Sequence, residues 1–262
     1  MHPETLKDRE SMEANKYDRR ADQILQAKSV DELFVEPVHW QKIINARRPY
    51  GSYINSIKAL GNLEGKRVLE IGCGTGWLSV VLCKMGAQVD GIDISQNQVA
   101  IAENRADVNH IANQARFRVM SAHKLDFPDD TFDVVYGLSV LHHVNILECI
   151  PEVNRVLKKG GKAVFSEPVI NSRFVEAIRK KIPVPIDDDD EILAPPLNDA
   201  NLRILIDSFS QSRISYFRFF SSLDRVVQNR PFVRALQGID AMVLRFWPFR
   251  NLARQAVVSL IK

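Results

Sequence analysis

Between Lys66 and Pro168, short β-branched runs alternate with helix-length spacers, and this alternation constrains the fold more than any other feature of the chain. The runs are RVLEI (67–71), QVDGI (88–92), RFRV (116–119), FDVVYGL (132–138) and KAVFSE (162–167). Parallel neighbours cannot be joined by a tight turn, so this spacing calls for crossover helices and a parallel, doubly wound α/β sheet. SRISYFRFF (212–220) and QAVVSLIK (255–262) are candidates for two further strands. Residues 1–65, rich in charge and helix formers and punctuated by Pro37 and Pro49, read as an N-terminal cap of two or three helices. Residues 223–250 read as helix, broken by Pro231 and stopped near Pro248. The expected division is a cap over 1–65, a ligand-binding core over 66–168, and inserts with the last strands over 169–262. All three belong to one domain, which suits 262 residues at roughly 150 per domain.

The richest stretch is VLEIGCGTG (68–76), a strand running into a glycine turn that opens a helix at Trp77. Such a turn lets a ligand approach bare backbone at a helix N-terminus. Asp93, at the end of the second strand, is placed to accept hydrogen bonds from both hydroxyls of a ribose. Together they predict an adenosine site. A nicotinamide dinucleotide, and with it an NAD-dependent oxidoreductase, is the first alternative. Its G-x-G-x-x-G fingerprint fails here, because the third glycine position falls on Trp77. Glu70, two residues before the first glycine, would repel a pyrophosphate and suits a cationic cofactor such as S-adenosylmethionine.

These motifs, with GIDIS (91–95), LDFPDDTFDVVYGLSVLHHV (125–144) and EVNRVLKKGGKAVFSEP (152–168), resemble the class I S-adenosylmethionine-dependent methyltransferases. Within that family the chain is similar to the small-molecule branch of ubiquinone and menaquinone biosynthesis methyltransferases. The resemblance, strong over about residues 64–168, implies a mostly parallel seven-stranded Rossmann-like sheet with an antiparallel last strand. It also implies S-adenosylmethionine as cofactor. Tyr17, Glu70, Gly72, Cys73, Gly74, Asp93, Ile94, Ser121, Ala122 and Leu138 are then the expected cofactor-site residues. The backbone of Gly72 and Gly74 would meet the methionine end, Asp93 the ribose, Ile94 the adenine and the Leu138 carbonyl the ammonium. Ser121 stands where the family usually has an aspartate, which moves adenine recognition towards the Ala122 backbone.

Methyl transfer needs alignment, and a base only where the nucleophile must lose a proton. His142 and His143 follow the fourth strand and Glu167 ends the fifth, at the sheet edge where open α/β folds bind ligands. These three are the catalytic candidates, each with the bland alternative of packing or capping. His39, His110 and His123 have no metal-ligand spacing and read as surface or capping residues. Cys73, Cys83 and Cys149 form no C-x-x-C pair, so neither a disulfide framework nor a metal site is expected.

A net charge of +3 is too small for a nucleic-acid partner. The polar N-terminus and the lack of an apolar run of about 18 residues point to the cytoplasm. Asp187–Asp190 with Glu191, set among prolines, read as a solvated lid edge rather than a calcium loop. Residues 201–262 carry ten Lys/Arg against three acids, interleaved with aromatics. This texture suits either peripheral contact with an anionic bilayer or a helix covering the site, and an apolar cavity with a cationic rim. The function expected is methyl transfer to an O, N or C nucleophile of a small, lipophilic metabolite. The alternative is a catalytically silent adenosylmethionine-fold binding subunit.

Overall fold

The computed structural model describes residues 5–46, 51–172, 194–225, 227, 229–246 and 249–262. The aspartate run at 187–190 lies outside them. The cap contributes α1 (Leu6–Ala27), α2 (Pro37–Ile44) and α3 (Ser52–Leu60). The core alternates β1 (Arg67–Ile71), α4 (Trp77–Lys84), β2 (Gln88–Asp93), α5 (Gln96–Val108), β3 (Ala115–Val119), β4 (Phe132–Leu138), α6 (Ile146–Val156) and β5 (Leu157–Pro168). After it come α7 (Asp199–Asp207), β6 (Gln211–Phe217), α8 (Arg230–Val243) and β7 (Gln255–Ile261).

The seven strands lie in the order β3-β2-β1-β4-β5-β7-β6. β1 to β5 pair in parallel, whereas β7 runs antiparallel to both neighbours. The sheet is therefore mostly parallel, with the expected antiparallel last strand. Helices cover both faces, which is why β1 and β4 can be nearly continuous apolar runs. One core layer joins Leu69, Ile71, Val135 and Phe165 to α6 and α7. The other joins Val68, Val134, Tyr136 and Val164 to α3 and α4. Gly91 has a packing reason, since a Cβ there would come within 2.7 Å of the Phe117 ring on β3.

Two expectations are corrected. Pro231 starts a helix instead of breaking one: it stands at the N-terminus of α8, behind the N-cap Asn229, where its missing N–H costs no helical bond. α8 also ends at Val243, before Pro248 is reached. β5 begins at Leu157, five residues ahead of KAVFSE, because the chain pairs with Phe132 before an irregularity shifts the register.

The carboxyl ends of β1, β2, β4 and β5 meet at one sheet edge. β6 is parallel to β5, both being antiparallel to β7, and Phe217 and Pro168 face the same residue, Gln255. The end of β6 therefore reaches that edge too. α1 lies over it, docked on the start of α5. Asp18 Oδ1 accepts from Ser95 Oγ (2.6 Å) and from the Asn97 N–H (3.0 Å), and Asp22 accepts from the Asn97 amide (2.9 Å). Arg105 of α5 donates to the carbonyls of Thr75 and Leu33, tying the glycine turn to the cap.

Candidate functional site

All three glycines of the turn adopt positive φ: +68° at Gly72, +51° at Gly74 and +73° at Gly76. They serve different ends. A Cβ on Gly72 would strike Val140 Cγ2 at 2.8 Å, and one on Gly76 would strike Ala102 Cβ at 2.9 Å. Gly74 is different, because a Cβ there would meet nothing nearer than Gln98 Oε1 at 3.8 Å. Its backbone borders a cavity of about 360 Å³, whose wall includes Gly72, Gly74, Asp93, Ile94, Ser121, Ala122, Leu138 and Tyr17.

Asp93 anchors this cavity. Oδ2 accepts from the Gly74 N–H and Oδ1 from the Ser95 N–H, each at 2.9 Å. Burial pushes its carboxyl above the usual range, while the N–H groups of Ser95, Gly74 and Ile94 pull the other way. Each carboxylate oxygen has a second lone pair with which to accept from a hydroxyl. A backbone cradle beside a buried carboxylate suits an adenosine with a cationic tail, so S-adenosylmethionine fits the residues present.

Two of the expected cofactor residues stand elsewhere. Glu70 is outside the cavity wall; its Oε2 accepts from Ser79 Oγ inside the core. Burial there raises its carboxyl to about 8, so at neutral pH it is mostly protonated and supplies little of the charge assigned to it. Cys73 is also outside the wall, a buried thiol behind the loop that burial pushes well up. The cavity is bordered by their neighbours Ile71, Gly72, Gly74 and Thr75. Ser121 borders the cavity, but its hydroxyl is engaged by Glu10 of α1.

A second cavity, of about 860 Å³, adjoins the first and shares Glu10, Glu13, His123, His143 and Val144 with it. Three imidazole–carboxylate pairs mark this junction. His123 Nδ1 meets Glu10 at 2.7 Å, and its Nε2 accepts from the Asn145 N–H at 2.8 Å. His143 Nδ1 meets Glu13 at 3.2 Å, and its Nε2 meets the Tyr17 hydroxyl at 3.3 Å. His142 Nδ1 meets Glu167 at 2.8 Å. The Glu167 side chain is fully buried, and its other oxygen accepts from the N–H groups of Val140 and Leu141. Both nitrogens of His123 and of His143 are thus committed. Among the described residues, Nε2 of His142 has no partner, and His142 borders the larger cavity.

Glu10 and Glu13, not singled out in the sequence, and His123, expected there as a surface or capping residue, border both cavities. The signal was present: Leu6, Glu10, Glu13 and Tyr17 recur at spacings of four, three and four, one face of a helix. The larger cavity is not the apolar one expected: Leu6, Met12, Leu141, Ile146, Leu197 and Ile204 line part of it, and charged groups, imidazoles and amides line as much again. The cationic rim is not found among the described residues, where Glu10, Glu13 and Glu148 stand against Arg9. Nor does α8 border either cavity there, because it packs beside β6 instead.

Residues 69–165 match the methyltransferase domain family model. Over 112 residues the chain is 40% identical to a ubiquinone biosynthesis O-methyltransferase of Bradyrhizobium diazoefficiens, covering 42% of this chain and 43% of that one. Over 105 residues it is 39% identical to a phosphatidylethanolamine N-methyltransferase of Cereibacter sphaeroides, covering 40% and 51%. The chain spans about half the length of these curated relatives. Among solved structures, geranyl diphosphate C-methyltransferase from Streptomyces coelicolor, in complex with Mg2+, geranyl diphosphate and S-adenosyl-L-homocysteine, aligns at a TM-score of 0.62. It shares 15% identity over 99% of each chain, a likeness of fold. Motifs, strand order and matches together show that residues 69–165 carry a methyltransferase domain, in a chain with the fold of the S-adenosylmethionine-dependent methyltransferases.

Proposed function

We propose that this protein methylates a hydroxyl group of a small, lipophilic metabolite, with His142 accepting the hydroxyl proton. The observation that supports this most is the state of His142 among the three imidazoles. Its Nδ1–H is held by the buried Glu167 carboxylate, which fixes the ring and leaves Nε2 as the basic atom towards the larger cavity. Bound S-adenosylmethionine supplies a methyl group on a sulfonium, which passes to the oxygen and leaves a neutral thioether. The glycine turn and Asp93 hold the adenosine end, with Ile94, Ala122 and Leu138 beside them. His143, Glu13 and Tyr17 close the junction of the two cavities, and Glu167 stabilises the imidazolium that forms on His142.

Acceptor selection falls to the cap (1–65) and the late region (169–262), since Leu6, Met12, Leu197 and Ile204 supply apolar wall from outside the core. The name of the O-methyltransferase relative agrees with an oxygen nucleophile. The cytoplasm is the compartment we assign, in keeping with three free, buried thiols.

The test is a screen of hydroxylated aromatics, amines and carbon acids, with methylated products read by mass spectrometry. The expected product carries its new methyl on oxygen. His142→Gln should lower kcat by about 10²- to 10⁴-fold. Calorimetric affinity for S-adenosylhomocysteine should stay unchanged. Exclusive N- or C-methylation, or full turnover by the variant, would refute the assignment.

A further inference from the structure

α8 presents three faces. Leu236 and Asp240 turn inward, as does Leu244 just beyond the helix. Phe232, Ile239, Met242 and Phe246 recur at helical spacing on the adjoining side and are open to solvent, Met242 at 62% and Phe246 at 63%. Arg234 and Arg245 are exposed along one flank of this stripe. The turn before α8 packs against it and exposes Phe220 and Leu223, and the turn after it exposes Phe249 and Arg250.

Asp240, the single acid after residue 224, is withdrawn from this surface. Its carboxylate accepts from the N–H groups of Phe219 (3.2 Å), Phe220 (2.8 Å) and Ser221 (3.0 Å) and from the Ser221 hydroxyl. The exposed face of α8 therefore combines large apolar side chains with arginines and no carboxylate. Residues 201–262 hold a surplus of seven positive charges in a chain whose total is +3, so the remainder is net acidic.

We propose that this face docks on an anionic phospholipid bilayer, with α8 in the plane of the interface, its apolar stripe at the acyl boundary and its arginines on lipid phosphates. Charge complementarity selects this occupant. A second copy of the chain would set arginine against arginine. No helix among the described residues is long and apolar enough to cross a membrane, so the contact is peripheral. The four bonds to Asp240 pin α8 just beyond the end of β6, at the sheet edge that carries both cavities. Docking there would bring that edge to the lipid surface. The inference does not depend on the methyl-transfer reading.

The test is cosedimentation of the full chain with vesicles of phosphatidylcholine alone and of phosphatidylcholine with phosphatidylserine, at low and high salt. Strong, salt-sensitive binding to the second and little to the first is expected. The double variant Met242→Ser, Phe246→Ser should lose it. Replacing Arg234, Arg245 and Arg250 by Gln should weaken it on the order of a hundredfold, about fivefold per arginine. All five side chains are exposed, so circular dichroism melts should match the parent and separate lost binding from lost fold. Absence of binding, or binding that both variants retain, overturns the proposal. A solution dimer dissolved by Phe246→Ser would overturn it in favour of a second copy.

Discussion

Glu70 lies two residues before a loop built for a cation, yet its side chain points into the core, and that has a measurable cost. Its carboxyl ionises near 4.5 in an ordinary setting and near 8 when buried here. Between those values the folded chain keeps a proton that the unfolded chain releases. Stability should therefore fall as pH rises through that window, and the loss is absent below it. Glu70→Gln removes this slope. Denaturant midpoints for the two proteins from about pH 5 to about pH 9 should diverge, the parent losing at most a few kcal/mol relative to the variant. Parallel curves would show that Glu70 ionises normally.

The glycines and Asp93 were legible in sequence because their roles are local, within one turn and one strand end. The separate parts played by His142 and His143 were not. Glu167 is 25 positions from His142, whereas Glu13 and Tyr17 are 130 and 126 positions from His143. Only the folded chain brings these partners together.

At the scale of elements, α1 shows how a cap becomes part of a site. It is held over the cavities in part by Asp18, seated on the first turn of α5, where the unpaired N–H groups and the helix dipole favour a carboxylate. Asp18→Ala should loosen that seat by about 1 kcal/mol. The expected readout is faster hydrogen exchange over residues 6–27 with protection of β1 and β4 unchanged, together with weaker S-adenosylhomocysteine binding. Unaltered exchange in α1 would show that Gln98, which donates to the Tyr17 carbonyl at 3.3 Å, suffices to hold the helix. The sequence marked these residues as cap helix through charge and periodicity. What it could not mark was the partner of the polar stripe, since carboxylates on a helix face look alike whether they meet water or imidazole. Pro231 is the parallel case for α8: a proline breaks a helix or starts one according to a boundary that tertiary packing sets.

For the whole molecule, the division of labour between the core and the late region can be tested by removal. Every residue bordering the smaller cavity falls between Glu10 and Val144. Replacing Ser221 to Arg250 by a short Gly/Ser linker should leave S-adenosylhomocysteine affinity within about twofold, because no contact counted in that free energy is touched. Methyl transfer to a dissolved acceptor should persist, while partition onto phosphatidylserine vesicles should vanish. Loss of cofactor binding would show that α8, through Leu236 and Leu244, supports the core and not merely its surface.

The strand order also carries a consequence for how the chain is made. β7 is synthesised after β6 but lies between β6 and β5, so a nascent chain that has already emitted β6 cannot seat it. Until some forty residues more have left the ribosome, β5 offers an unpaired border that includes Ala163, Val164 and Phe165, and β6 lacks its sheet partner. The final strand is the keystone of the sheet. The interval before it arrives is the stretch of this protein's life in which a chaperone has most to do.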